Sequence, residues 1–154
     1  MSRHELLLWK RISTLNLLVL QKILKHENLG IEREDVVNFI NMELQLKHFE
    51  SLIKEIVCNI SINDYDTINA KKQNGRVDTN DLKRVIIEYG CTVIPLPDEA
   101  FYKAEVYYIK DDNRLDVYIP LWTKEEGRSD LTLSLSCYDI NGIPKVEIND
   151  LKVL

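Results

Sequence analysis

The sequence predicts an α+β fold: an N-terminal antiparallel helix pair, then a short helix packed on a four- to five-stranded antiparallel meander. Three observations lead there. Apolar residues recur at three- and four-residue steps as far as residue 60, and at two-residue steps after residue 114. Asn141-Gly142 stands between two β-rich runs and is the strongest hairpin signal in the chain. With only five Gly and four Pro in 154 residues and no low-complexity tract, the chain reads as a compact globule rather than a disordered one.

Residues 5–28 lack Gly and Pro and place Leu8, Ile12, Leu15, Val19 and Ile23 on one helical stripe, which Leu17, Leu20 and Leu24 widen. A helix with so wide an apolar face is buried on two sides, either inside its own chain or against a partner. A twin can complete it, which makes a homodimer through these helices one expectation. Asn28-Leu29-Gly30 ends the helix, and Glu32, Glu34 and Asp35 open the next, where negative charge suits the helix dipole. Met42, Leu46, Phe49, Ile53, Ile56 and Ile60 then predict a second helix over 34–60. A short loop between the two makes them an antiparallel pair, so residues 1–60 read as a helical hairpin.

Residues 61–77 hold Asn, Asp, Gly and Lys without periodicity and read as a linker. Residues 78–154 read as the α+β domain. Asp78 or Thr79 can cap a helix over 79–89 with Leu82, Val85, Ile86 and Tyr89 on its apolar face, and Gly90 can end it. Strands are expected over 91–96 and 101–109, over 115–121, where Leu115, Val117, Ile119 and Leu121 alternate, and over 131–137. Val146, Ile148, Leu151 and Val153 follow the Asn-Gly turn.

The chain carries 20 basic and 25 acidic side chains, a net charge of −5, which argues against a nucleic-acid backbone as the main partner. The charge is uneven. Residues 77–154 hold nine basic against fifteen acidic side chains, while the rest is close to neutral. Cys58, Cys91 and Cys137 are odd in number and form no CxxC pair, as expected of buried thiols in a reducing cytosol. The leucine-rich N-terminal run is broken by Lys10, Arg11, Gln21 and Lys22. Its apolar stretches fall far short of the roughly 20 residues needed to span a bilayer. The expectation is a cytoplasmic protein with no membrane partner.

The stretch from Pro120 to Leu133 (PLWTKEEGRSDLTL), with Glu88-Tyr89-Gly90 and Pro95-Leu96-Pro97 before it, resembles a family of small, uncharacterised bacterial domains with an LPLWTxEEGRSDLTL-type hairpin. Ile119 stands where that pattern has its first Leu. The resemblance covers about residues 78–154. It implies a fold unit and a bacterial origin and transfers no catalytic residue.

Residues 125–130 combine the carboxylates of Glu125 and Glu126, a flexible Gly127, and Arg128-Ser129-Asp130 between two strands. This is either a recognition loop, with carboxylates for a basic partner and Arg128 for a carboxylate or phosphate, or an internally paired turn in which Arg128 bonds Glu125 or Asp130. Trp122 falls on the strand face opposite Val117, Ile119 and Leu121, together with Tyr118. With Tyr102 and Tyr108 these can form an aromatic strip suited to an interface, or they can pack under the N-terminal helices. Asp111, Asp112 and Asp116 lack calcium-loop spacing, and His4, His26 and His48 lack any metal-ligand spacing. No phosphate loop, nucleophile elbow or Cys/His signature occurs, so no catalytic residue, metal or cofactor is assigned; an enzyme here would have to work through carboxylates alone, with Glu125, Glu126 and Asp130 as acid, base or metal ligands.

Two functions fit. One is a non-enzymatic bacterial interaction module, most specifically an immunity-type inhibitor that binds a basic toxin or nuclease domain through Tyr118, Trp122, Glu125, Glu126, Arg128 and Asp130. The alternative is a small-ligand-binding or carboxylate-dependent enzyme domain with its pocket between helix 79–89 and the sheet.

Overall fold

A computed structural model describes residues 33–154, with side chains from Gln45 onward. The expected first helix over 5–28, its pairing with the second, and a homodimer built on it lie outside the described residues. The chain divides into two compact units, Met1–Lys47 and His48–Leu154.

The described elements run α1 (Arg33–Ser61), α2 (Tyr65–Ala70), α3 (Thr79–Tyr89), a 3-10 helix (Asp98–Lys103), then β1 (Glu105–Ile109), β2 (Arg114–Thr123), β3 (Gly127–Ile140) and β4 (Ile143–Val153). The strands form one antiparallel sheet in the order β1-β2-β3-β4, a meander whose neighbours in space are neighbours in sequence. Helices and antiparallel strands are segregated along the chain, and the fold is α+β.

One core holds the second unit together. In α1, Phe49, Ile53, Ile56, Val57 and Ile60 share a face and are buried. Ile68 of α2, Leu82 of α3, and Ala100 and Phe101 of the 3-10 helix join them. From the sheet come Leu115, Val117, Ile119 and Leu121 of β2, Leu131, Leu133, Leu135 and Cys137 of β3, and Val146, Ile148 and Leu151 of β4. Every second residue of β2 is buried from Leu115 to Thr123, the half-buried pattern its alternation predicts. Each fully buried Leu, Ile or Val contributes about 1.5–3 kcal/mol relative to exposure, so this face outweighs the surface ion pairs. Those pairs join α1 to its surroundings, Lys54 with Asp98 and Glu55 with Lys71, and a hydrogen bond of 3.2 Å links His48 Nε2 and Asp139 Oδ1.

Residues 61–77, expected as a linker, carry structure of their own. Asp64 accepts from Thr67 N at 3.1 Å and from Thr67 Oγ1 at 2.6 Å, which caps the six-residue α2. Gln73 O accepts from Ile148 N at 2.7 Å, tying the segment to the outer edge of β4. A Cβ on Gly75 would come within 2.8 Å of Ile148 O, and Gly75 has φ +57°, so both space and conformation require glycine there. Asp78 caps α3 by accepting from Asn80 N at 2.9 Å, and Gly90 ends it at φ +78°.

Two expected strands differ from what forms. Residues 91–96 make only one bridge, Val93 to Thr123, because Pro95 and Pro97 have no N–H to continue a ladder. Of 101–109, only Glu105–Ile109 is strand. The preceding residues turn into the 3-10 helix behind Pro97, with Asp98 and Glu99 in its first turn and Lys103 in its last, matching the helix dipole. The Asn141-Gly142 turn has φ of +51° and +81°, as a two-residue hairpin with a primed turn requires.

Candidate functional site

The β2–β3 hairpin positions all six residues expected to meet a partner. Cross-strand register sets Tyr118 opposite Ser134, Pro120 opposite Thr132 and Trp122 opposite Arg128. Between the last two pairs the register shifts, so that Leu121 alone faces Ser129, Asp130 and Leu131. Such a bulge frees backbone groups that must find partners. Ser129, buried, supplies them: its Oγ donates to Leu121 O at 2.7 Å and accepts from Leu131 N at 3.2 Å. Alternation then turns Arg128 and Asp130 outward, on the side of the sheet that carries Tyr118, Pro120 and Trp122.

The loop residues divide into two groups. Glu125 accepts from Thr92 N at 2.9 Å and from Thr92 Oγ1 at 2.7 Å. These two bonds hold its carboxyl below the usual value. Glu126 accepts from Tyr89 Oη at 3.1 Å, and its own N–H donates to Thr123 Oγ1 at 3.1 Å. Lys124 N donates to Thr92 O, and Ile94 N to Trp122 O, both at 2.9 Å. The turn is therefore stapled to the chain leaving α3. Removal from water raises the Tyr89 phenol and the Cys91 thiol, and the carboxylates beside them add to it: Glu126 and Asp130 for Tyr89, Glu125 and Glu126 for Cys91.

Arg128 and Asp130 make up the second group. Both are exposed, and neither side chain has an ion pair or hydrogen bond within the described residues. Arg128 thus does not bond Glu125 or Asp130; Thr92 and Tyr89 take the places that an internally paired turn would give it. Gly127 has φ +72°, and the Trp122 ring lies 3.7 Å from where its Cβ would be. Trp122 is half-buried, and its Nε1 is covered without an acceptor.

The aromatic strip is built from different residues than the sequence suggests. Tyr107, opposite Asp116, lies on the face of Tyr118, and the two rings pack edge to face at 5.8 Å. Tyr108 is opposite Leu115 and so belongs to the other face, where its hydroxyl donates to Asn113 Oδ1 at 2.9 Å. Tyr102 sits in the 3-10 helix. At the acidic hairpin tip Arg114 pairs with Asp112 and, through Nε at 2.9 Å, with Asp116. Among the described residues, no group of His, Cys, Asp and Glu side chains is arranged to hold a metal ion. No described helix is long and apolar enough to cross a membrane. Cys137 is buried, and loss of hydration pushes its thiol up to about 12, but Cys58 is exposed on α1 and Cys91 is half-buried. The expectation of three buried thiols holds fully only for Cys137.

Tyr89, Thr92 and Tyr107 complete the site without having been expected there. Thr92 and Glu125 lie 33 residues apart, and no local pattern joins them.

The family model for a domain of unknown function, DUF7668, matches residues 57–154, and the chain belongs to that family. The matched span takes in the last turn of α1 and all of 61–77, ahead of residue 78, where the hairpin resemblance begins. No curated protein and no solved structure matches the chain.

Proposed function

We propose that this member of the DUF7668 family is a non-enzymatic protein-interaction module of the bacterial cytosol, an immunity-type inhibitor that receives a basic toxin or nuclease domain on the outer face of its sheet. One observation carries the reading. Arg128 and Asp130 are exposed and unpaired beside half-buried Trp122, on the same face as Tyr118 and Tyr107. Aromatic anchors flanked by unpaired charge are what interface hot spots are made of. The surplus of acidic side chains in residues 77–154 supports a basic partner, whose approach it would steer and speed. Glu125 serves this surface indirectly, by fixing the turn through Thr92.

The test follows the charge. With a partner recovered from the native cell, Glu126→Lys combined with Asp130→Lys is expected to slow association and flatten its salt dependence. Unchanged kinetics would take this turn out of the interface.

A further inference from the structure

The turn between α1 and α2, the segment from α2 to α3 and the first turns of α3 surround a surface cleft of about 720 Å³. That is within the range of roughly 300–1,000 Å³ usual for small-ligand sites. Its walls are polar and amide-rich: Asn63, Asn69, Asn74 and Asn80 line it, with Tyr65 and Asp66. Arg76 and Lys83 bring two positive charges to the lining and Asp66 and Asp78 two negative ones, while Arg76 also acts on the Glu147 carboxylate of β4.

The protein holds part of this wall in place. Asn69 Nδ2 donates to Thr79 Oγ1 at 3.0 Å and Asn74 Nδ2 to Val77 O at 2.8 Å, which orients both amides. Behind them the Gln73–Ile148 backbone bond and the tight approach of Gly75 to Ile148 O anchor the loop. Asn63 is held at φ +59°, a strained conformation for a non-glycine residue. By contrast, the side chains of Asn63, Asn80, Asp66, Arg76 and Lys83 have no hydrogen bond or ion pair within the described residues. The core accounts for none of these groups, since Ile68 is the buried residue of α2 and Leu82 that of α3 beyond its capped first turn.

The geometry points to a binding site for a neutral, polyhydroxylated ligand, a saccharide. Each sugar hydroxyl both donates and accepts. A side-chain amide offers a donor and an acceptor side by side, and a carboxylate accepts from two neighbouring hydroxyls. Balanced wall charges disfavour a bare phosphate, which would meet Asp66 and Asp78 as well as the two cations. Tyr65, half-buried, is part of the same wall. The cleft shares no residue with the surface around Trp122, so this inference and the proposed function stand or fall separately.

The test is an NMR titration of the isotope-labelled full chain with maltose, cellobiose and chitobiose. At least one of them is expected to shift backbone amides of residues 63–83 along a saturating curve. Asp66→Ala and Asn80→Ala, both at exposed positions, are each expected to raise its Kd about tenfold while leaving the rest of the spectrum unchanged. No saturable shift in 63–83 from any of the three sugars would overturn the inference. Sodium phosphate shifting those amides where the sugars do not would overturn it too, in favour of an anion site.

Discussion

Glu125 grips Thr92 at two points, accepting from its backbone N–H at 2.9 Å and its hydroxyl at 2.7 Å. The pair joins the β2–β3 turn to the chain that leaves α3, so the carboxylate that looks freest in the sequence is a structural one. Because folding lowers its pKa from the ordinary 4.5, its contribution to stability is complete above that value and is lost as pH falls through the lowered folded value. Glu125→Gln is therefore expected to destabilise the protein at pH 7 and to differ less and less from the wild type on acidification. Urea denaturation of both proteins across that range checks it; a difference that does not shrink in acid would remove the carboxylate's charge from the explanation.

Glycines 75 and 142 both have positive φ, but only the first is crowded. Gly142→Ala is expected to cost about 1 kcal/mol, the strain of a left-handed L-residue. At Gly75 the new Cβ would also meet Ile148 O at 2.8 Å, and since that neighbour is backbone it cannot swing away. A loss of about 3 kcal/mol is expected there. Equal losses at the two sites, measured by thermal unfolding, would show that residues 73–75 are not docked on β4.

Trp122 separates packing from recognition. Its ring covers Gly127 while its Nε1 has no acceptor. Trp122→Phe keeps an aromatic ring and removes a buried unpaired donor, so it is expected to change stability by less than about 1 kcal/mol. Trp122→Ala is expected to lose about 3 kcal/mol. If both variants unfold alike, the ring is not packed as described.

Thiol reactivity reports on the core directly. Cys58 is exposed and is expected to react with a disulfide reagent at once, Cys91 more slowly. Cys137, fully buried and with its thiol pushed up to about 12, is expected to react only on unfolding. Mass spectrometry of the labelled native protein tests this; rapid labelling of Cys137 would mean that the sheet core opens.

Much of the fold could be read from the chain because its signals are local. Leu115, Val117, Ile119 and Leu121 alternate cleanly, and Asn141-Gly142 names its own turn. The phase of β1 could not be read this way. Glu105–Ile109 has no alternation, and its register is set by the turn at 110–113, which puts Tyr107 rather than Tyr108 beside Tyr118. The exposure of Cys58 was legible in the helical phase of α1, between Ile56 and Ile60 on the buried face. The pairing of Glu125 with Thr92 was not, since bonds between distant segments leave no periodic trace.

The proposed role rests on the sheet face around Trp122, and a comparative affinity purification tests that face most directly. Tagged wild-type protein and an Arg128→Ala/Asp130→Lys variant, both changes at exposed and unpaired positions, would be recovered from the native cell beside a Lys103→Ala control, and the co-purifying proteins quantified by mass spectrometry. A stoichiometric basic partner is expected with the wild type and the control, reduced at least about tenfold with the double variant. Recovery of the chain alone, or of the same partner in equal yield from the double variant, would contradict it.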